Sequence, residues 1–286
     1  MPWHARLDLT YSARPTDAST APDARRQTVL HFEHDGPLRV LKSLYPEGPG
    51  VCHNVLVHPP GGLVGGDVLD IQVQVGTGAH ALVTTPGATR FYKSNGEVAT
   101  QRTHLKLAEG ARLEWLPLEA IAYNACDARN ELTMDLAPGA QLLAWDITAL
   151  GLPLANLPFV QGRLVQHLAW PGVFLEHGDI DATDALLMDG GLGLAGQRCL
   201  ASLIYASGDP MPRAQRERLQ ERTQALLGAS PAGALCGVTA PNPHMLVLRG
   251  LAPVVEPLMN LWRQVWACWR QDTLGATGQL PRIWAM

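Results

Sequence analysis

Several carboxylates in this chain lie among apolar residues, where an acidic side chain is costly unless it is paired or bound to a cation. Glu119 stands in the mainly apolar stretch 116–123, Asp146 is flanked by a tryptophan and an isoleucine, and Glu176 and His177 follow a leucine. No His-x-x-x-His, His-Glu-x-x-His or Cys-x-x-Cys spacing accompanies them, so no local zinc site is encoded. Oxygen ligands of this kind are suited to weak binding of divalent cations.

A segment rich in glycine and proline, residues 58–67, ends in a further carboxylate, Asp67. It resembles a phosphate-binding loop, but such a loop needs Gly-Lys-Ser/Thr at the start of a helix. Here a strand follows the aspartate, and a carboxylate repels phosphate. We therefore predict a rigid turn between strands. Its turn residues are Pro59, Pro60, Gly61, Gly62, Gly65 and Gly66.

A second motif, residues 84–94, combines four threonine and serine hydroxyl groups with two cations and two adjacent aromatic rings. It contains neither a Ser-x-x-Lys element nor a Gly-x-Ser-x-Gly elbow, so it does not indicate an acyl-transfer enzyme. A hydrogen-bonded turn and a polar recognition surface both fit this composition.

Alternating apolar and polar residues predict strands throughout the first two-thirds of the chain. Three of these strands run into Gly-Ala turns and then into a second short strand, with a spacing of about thirty residues. The turns are Gly78-Ala79, Gly110-Ala111 and Gly139-Ala140. The repeat indicates a mainly β, layered, β-helix-like stack of strands, although tandem hairpins in a sandwich would give a similar pattern.

The C-terminal third predicts two helices, over residues 212–227 and 253–270. The second is apolar around most of its circumference and includes Trp262, Trp266 and Trp269. Such a helix is buried in a core or against a partner, and the tryptophans are compatible with either place.

The chain has 286 residues, a net charge of −4 and only 17% charged residues, so we expect no nucleic acid or membrane partner. Residues 12–27 have the composition of a flexible loop. The absence of an apolar leader segment and of paired cysteines predicts a cytoplasmic protein. We expect one domain over residues 1–286.

Six ordered blocks of the chain, two of them made of two short segments each, resemble the urease accessory proteins of the UreD/UreH family. The family usually has a glutamine where Leu118 stands and an arginine where Leu152 stands. Both differences remove polar groups. The matching segments are residues 36–38, 44–48, 58–67, 84–94, 116–123, 145–146, 151–153 and 281–284.

The resemblance implies a scaffold rather than an enzyme. It would bind apo-urease together with UreF- and UreG-type partners in a hetero-oligomer and help deliver nickel to the urease active site. Nickel would be in transit through an internal polar tunnel, and no cofactor would be tightly bound. The family fold is a β-rich stack with two helices, in agreement with the repeat.

On this interpretation we expect acidic residues and one histidine to line the nickel path, and the three tryptophans to bind a partner. A β-helix polysaccharide hydrolase or lyase is the alternative, and it would need two carboxylates facing each other in an open cleft. The path residues are Asp67, Asp70, Glu119, Asp146, Glu176 and His177. The partner-binding residues are Trp262, Trp266 and Trp269.

Overall fold

The computed structural model describes residues 2–15 and 26–285. Strands are the largest class of secondary structure, with 48% of the residues, as the period-2 alternation predicts. The strands are β1 (His4–Pro15), β2 (Arg26–Asp35), β3 (Arg39–Val40), β4 (Val51–Val57), β5 (Val68–Val75), β6 (His80–Thr84), β7 (Thr89–Phe91), β8 (Ala99–Leu107), β9 (Arg112–Leu116), β10 (Ala120–Ala122), β11 (Cys126–Leu136), β12 (Gln141–Leu152), β13 (Leu157–Pro158), β14 (Gly162–Trp170), β15 (Phe174–Asp181), β16 (Cys199–Ser207), β17 (Cys236–Asn242) and β18 (Met245–Ala252). The helices are α1 (Ala185–Asp189), α2 (Arg213–Gly228) and α3 (Val255–Leu274), with short 3-10 turns at Pro153–Ala155, Pro231–Leu235 and Arg282–Ala285.

The strands form two sheets that face each other. The seven-stranded sheet has the order β15-β14-β11-β8-β5-β1-β2. The eleven-stranded sheet follows the path β17-β18-β16-β12-β9-β6-β4-β3; off this path, β10 and β13 pair with β12, and β7 pairs with β10. Apolar side chains from the inner faces of both sheets form one continuous core between them.

The repeat predicted from sequence is the structural unit of the fold. Each copy places one strand in the seven-stranded sheet, turns at its glycine and places the next strand in the eleven-stranded sheet. Successive copies pair in parallel, β5 with β8 and β8 with β11. Gly78, Gly110 and Gly139 have φ of +69°, +64° and +72°, a region open to glycine. The prediction of a β-helix-like stack is confirmed, as a β-solenoid of about four turns.

The predicted flexible loop at 12–27 has different boundaries in the structure. Residues 12–15 end β1 and residues 26–27 begin β2, and the two strands pair antiparallel from Arg6↔Asp35 to Pro15↔Arg26. Alternation continues through Tyr11, which is fully buried, so the first strand is longer than its composition indicates. The remainder of the predicted loop, 16–25, lies outside the described residues.

Both helices predicted for the C-terminal third are present, and the short α1 is additional. α2 begins after Pro212 and has three buried residues. α3 extends four residues past the predicted end at 270 and stops before Gly275, whose φ of +64° terminates the helix. None of the helices in the described residues is long and apolar enough to cross a bilayer.

The prediction that the three tryptophans bind a partner is wrong. Trp262, Trp266 and Trp269 are each 0% exposed. Their spacing places them on one face of α3, which packs on the outer face of the eleven-stranded sheet in a second apolar cluster. Each buried ring adds more apolar contact area than most other side chains, so core packing accounts for the tryptophans.

A buried carboxylate, Glu114 on β9, fixes α3 to this sheet. It is 0% exposed and accepts hydrogen bonds from Trp266 Nε1 (2.8 Å) and Arg270 Nε (2.9 Å). His80 Nε2 lies 2.8 Å from its other oxygen. Burial raises the pKa of Glu114, but His80 and Arg270 outweigh that effect and the pKa is lowered.

The guanidinium of Arg270 joins Glu114 to a second carboxylate. Its Nη1 and Nη2 donate to Glu47 at 2.7 and 2.9 Å, and Glu47 also lies 2.7 Å from His53 Nε2. Burial opposes ionisation of Glu47, but the hydrogen bonds from His53 and Arg270 lower its pKa to about 2. Helix α3 is thus tied to the loop that precedes β4.

We expect Arg270→Met to destabilise the fold by about 3–5 kcal/mol, because it leaves Glu47 and Glu114 buried without their cation. Urea unfolding followed by circular dichroism measures this difference. The control is Arg213→Met, which breaks the exposed pair with Glu217 and should cost less than about 1 kcal/mol. Equal effects of the two substitutions would contradict this account of the network.

Candidate functional site

Two cavities lie between the facing sheets. The smaller has a volume of about 220 Å³ and is bounded by inner residues of both sheets, among them Ile71 and Trp115. Its mouth is formed by the two motifs that stand out in the sequence, at 58–62 and 85–90. These motifs therefore shape an opening into the interior.

The two motifs are packed directly on each other. Leu63 N donates to Arg90 O (2.7 Å), and Tyr92 N donates to Leu63 O (2.8 Å). A Cβ added to Gly62 would lie 2.4 Å from the Tyr92 ring and 2.8 Å from Arg90 O. Only glycine fits where the two segments come this close. This explains why the Pro-Pro-Gly-Gly turn and the hydroxyl-rich motif occur together.

The carboxylate at the end of the first motif has a structural role. Asp67 is 5% exposed, and its oxygens accept hydrogen bonds from Trp3 N (2.8 Å) and Val64 N (2.9 Å). It does not line either cavity. Its two oxygens tie the start of β1 to the turn.

The larger cavity has a volume of about 640 Å³. It lies where β11, β14 and β15 of one sheet face β12, β16 and β18 of the other. Most of its wall is apolar, including Leu168 and Leu200, while polar groups lie around Asp146 and on the side of Glu176 and Arg249.

A row of polar side chains runs between the sheets from one cavity to the other. The strand register aligns Gln101, Asn130 and Gln166 on three adjacent strands. Gln101 Nε2 donates to Asn130 Oδ1 (3.3 Å), and Asn130 Nδ2 donates to Asp146 Oδ2 (2.7 Å). Gln166 Nε2 (3.0 Å) and Thr148 Oγ1 (2.9 Å) donate to Asp146 Oδ1. Gln101 lines the smaller cavity and the next members line the larger one.

Asp146 is the charged member of this row, and its surroundings disfavour the ionised form of its carboxyl group. Burial raises the pKa of the Asp146 carboxyl, and the nearby Glu176 carboxylate raises it further. The hydrogen bonds from Thr148, Asn130 and Gln166 act in the opposite direction but do not cancel the rise. A cation placed here would offset the cost of the buried charge.

Glu176 borders the open side of the larger cavity. It accepts a hydrogen bond from Arg249 Nε (2.9 Å) and a second contact from Nη2 of the same guanidinium. The side chains are 35% and 46% exposed, respectively. This ion pair joins β15 of the seven-stranded sheet to β18 of the other.

The structure brings together only part of the predicted path. Asp146, Glu176 and His177 border the larger cavity, but His177 alternates with Glu176 on β15 and is exposed on the outer face. Asp70 likewise occupies an outer position of β5, where it accepts from Gln72.

Glu119 lies apart from both cavities, half-buried in the segment between β9 and β10. Its backbone oxygen accepts from Thr89 N (2.9 Å), which fixes the segment beside β7. Glu119 thus belongs with Asp67 and Asp70 among the acidic residues that border neither cavity.

Sequence reasoning did not identify Gln101, Asn130, Gln166 and Arg249. The sequence did contain a signal for Gln101 and Asn130. Inward and outward residues alternate along a strand, so extending the pattern from the inward Leu132 back by two residues gives Asn130 an inward position. The same alternation, followed further back from Leu105, reaches Gln101. Burial of amides is uncommon enough that inward amides on adjacent strands indicate a hydrogen-bonded row.

Within residues 2–15 and 26–285, no three His, Cys, Asp or Glu side chains are grouped closely enough to hold a metal ion. The site instead offers one buried carboxylate surrounded by amide and hydroxyl groups. Such oxygens bind divalent cations weakly and leave them part of their hydration shell.

Comparison with known proteins connects this geometry to a family. Residues 4–285 match the family model described as UreD urease accessory protein. Proteins named urease accessory protein UreD from Paracidovorax citrulli, Albidiferax ferrireducens and Verminephrobacter eiseniae are 56%, 57% and 57% identical over the whole of both chains. The chain therefore belongs to the UreD urease accessory protein family.

Proposed function

We propose that this protein conducts nickel to apo-urease through the polar row between its sheets. Family membership supports a role in urease maturation. The observation on which the route depends is the hydrogen-bonded series from Gln101 to Asp146, which extends from one cavity to the other across a mainly apolar core.

The chemistry of the row suits passage better than storage. Amide and carboxylate oxygens bind divalent ions less tightly than a closed set of imidazole or thiolate ligands, so the ion is not trapped. At the mouth of the smaller cavity, burial lowers the pKa of His58, and the Asp67 carboxylate opposes this effect. A neutral imidazole at that opening can accept nickel at neutral pH.

Nickel is cargo on this account and no cofactor is required. We propose that the protein is not an enzyme, since its relatives are named accessory proteins. Asp146 and Glu176 both border one cavity, but the first is held by three hydrogen bonds and the second by Arg249. Neither is a free acid or base, which disfavours the alternative of a polysaccharide hydrolase or lyase.

We further propose that the protein works in the cytoplasm in a hetero-oligomer with UreF- and UreG-type proteins and apo-urease. All five cysteines are free thiols, as is usual in that compartment. With the tryptophans buried, apolar partner contacts must come from other residues. Leu186 is 82% exposed and Leu192 is fully exposed beside the residues that border the larger cavity.

We expect Asp146→Asn to reduce urease activation at limiting nickel by roughly tenfold, because the row loses its only charged group. Excess nickel should restore much of the activity. The assay measures urease activity in cells that co-express urease, the other accessory proteins and each variant.

Asp135→Asn is the matched control, since Asp135 is exposed on the outer face of β11. Gln101→Leu should also reduce activation, because it interrupts the row without removing a charge, whereas Gln72→Leu on the outer face of β5 should not. Normal activation by both Asp146→Asn and Gln101→Leu would contradict the proposed route.

The partner surface is tested by co-purification. We expect the tagged protein to retain a UreF-type protein and apo-urease, and Leu192→Asp to weaken that retention because it places a charge in an apolar contact. Leu175→Asp is the control, since Leu175 is 66% exposed on β15. Equal retention of partners by both variants would place the contact elsewhere.

A further inference from the structure

We propose that the Glu176–Arg249 ion pair is a gate at the open side of the larger cavity, and that Arg249 limits how tightly a divalent cation is held there. This inference rests on the proposed nickel route and adds a regulatory element to it. Arg249 is a positioning residue in this account, because it acts on the cation through Glu176.

The pair is placed where such a gate is needed. Glu176 projects from β15 and Arg249 from β18, so their contact spans the gap between the sheets. Both side chains border the larger cavity and both are partly exposed. A cation that leaves the cavity on this side must pass them.

Register relates the gate to the charged end of the polar row. Asp146 pairs with Ser202, and Ser202 pairs with Arg249, so Asp146 and Arg249 lie on the same inner face two strands apart. That spacing is about 10 Å between backbones. The Glu176 charge is close enough to Asp146 to influence its ionisation.

Charge balance explains how the gate works. While Arg249 neutralises Glu176, the opening presents no free anion, and Asp146 is the only unpaired carboxylate among the residues that border this cavity from the inner faces. A divalent cation that arrives from Asp146 exchanges with the guanidinium on Glu176, and Arg249 is released to solvent. No covalent bond changes, and Arg249 can return when the cation departs.

Removing the guanidinium should make the larger cavity hold a divalent cation more tightly. With Arg249 absent, Asp146 and Glu176 are both available to one ion, and a pair of carboxylates holds a divalent cation more tightly than one. Tighter binding then slows release to the recipient.

The experiment measures Ni²⁺ affinity of the purified full-length protein by competition with a chromogenic chelator. We expect Arg249→Gln to bind Ni²⁺ roughly five- to tenfold more tightly than the unmodified protein, because a partly exposed ion pair and the repulsion of the cation are both lost. Arg249→Lys keeps the charge and should retain the original affinity. Arg6→Gln is the control, because Arg6 and Asp8 form a similarly exposed pair on the outer face of β1 and border neither cavity.

Adding Asp146→Asn to Arg249→Gln should cancel the gain in affinity. The gate is contradicted if Arg249→Gln binds Ni²⁺ no more tightly than Arg6→Gln, or if neither protein binds measurably. An unchanged affinity and unchanged urease activation in Asp146→Asn alone would instead overturn the nickel route, so the two failures can be distinguished.

Discussion

The parallel, in-register stacking of successive coils is the constraint on which this structure depends. β5, β8, β11 and β14 pair in parallel. Each inward-facing side chain therefore lies beside the inward-facing side chain at the equivalent position of the next coil. Apolar residues at most of these positions give the continuous core. Amides at one position give a hydrogen-bonded row, so the stacking that builds the apolar core also aligns polar groups within it.

Two sets of buried ionisable groups have different consequences. The Glu114, Arg270 and Glu47 network is fully paired, lies outside the space between the sheets and fixes α3 to the eleven-stranded sheet. Asp146 has only neutral donors as partners. A paired network stabilises one arrangement, while a carboxylate without a counterion remains open to a cation.

The architecture was predictable because local signals specify it: alternation gives the strands, glycine gives the turns, and the repeat gives the stack. The site was predictable only in part. Asp146 and Glu176 were identified by their apolar neighbours, but the same argument also selected Glu119, which borders neither cavity. Arg249 was not found because its partner is 73 residues away in the chain. Tryptophan spacing correctly indicated a buried face but could not distinguish core from partner.

On the proposed route, nickel occupies the space between the two sheets. The most direct measurement is anomalous X-ray diffraction at the nickel edge from crystals of the full-length protein exposed to Ni²⁺, with Asp146→Asn crystals treated in parallel. The account predicts an anomalous peak between the sheets beside Asp146, which weakens or disappears in the variant. Peaks confined to the outer faces of the sheets, or unchanged by the substitution, would contradict it.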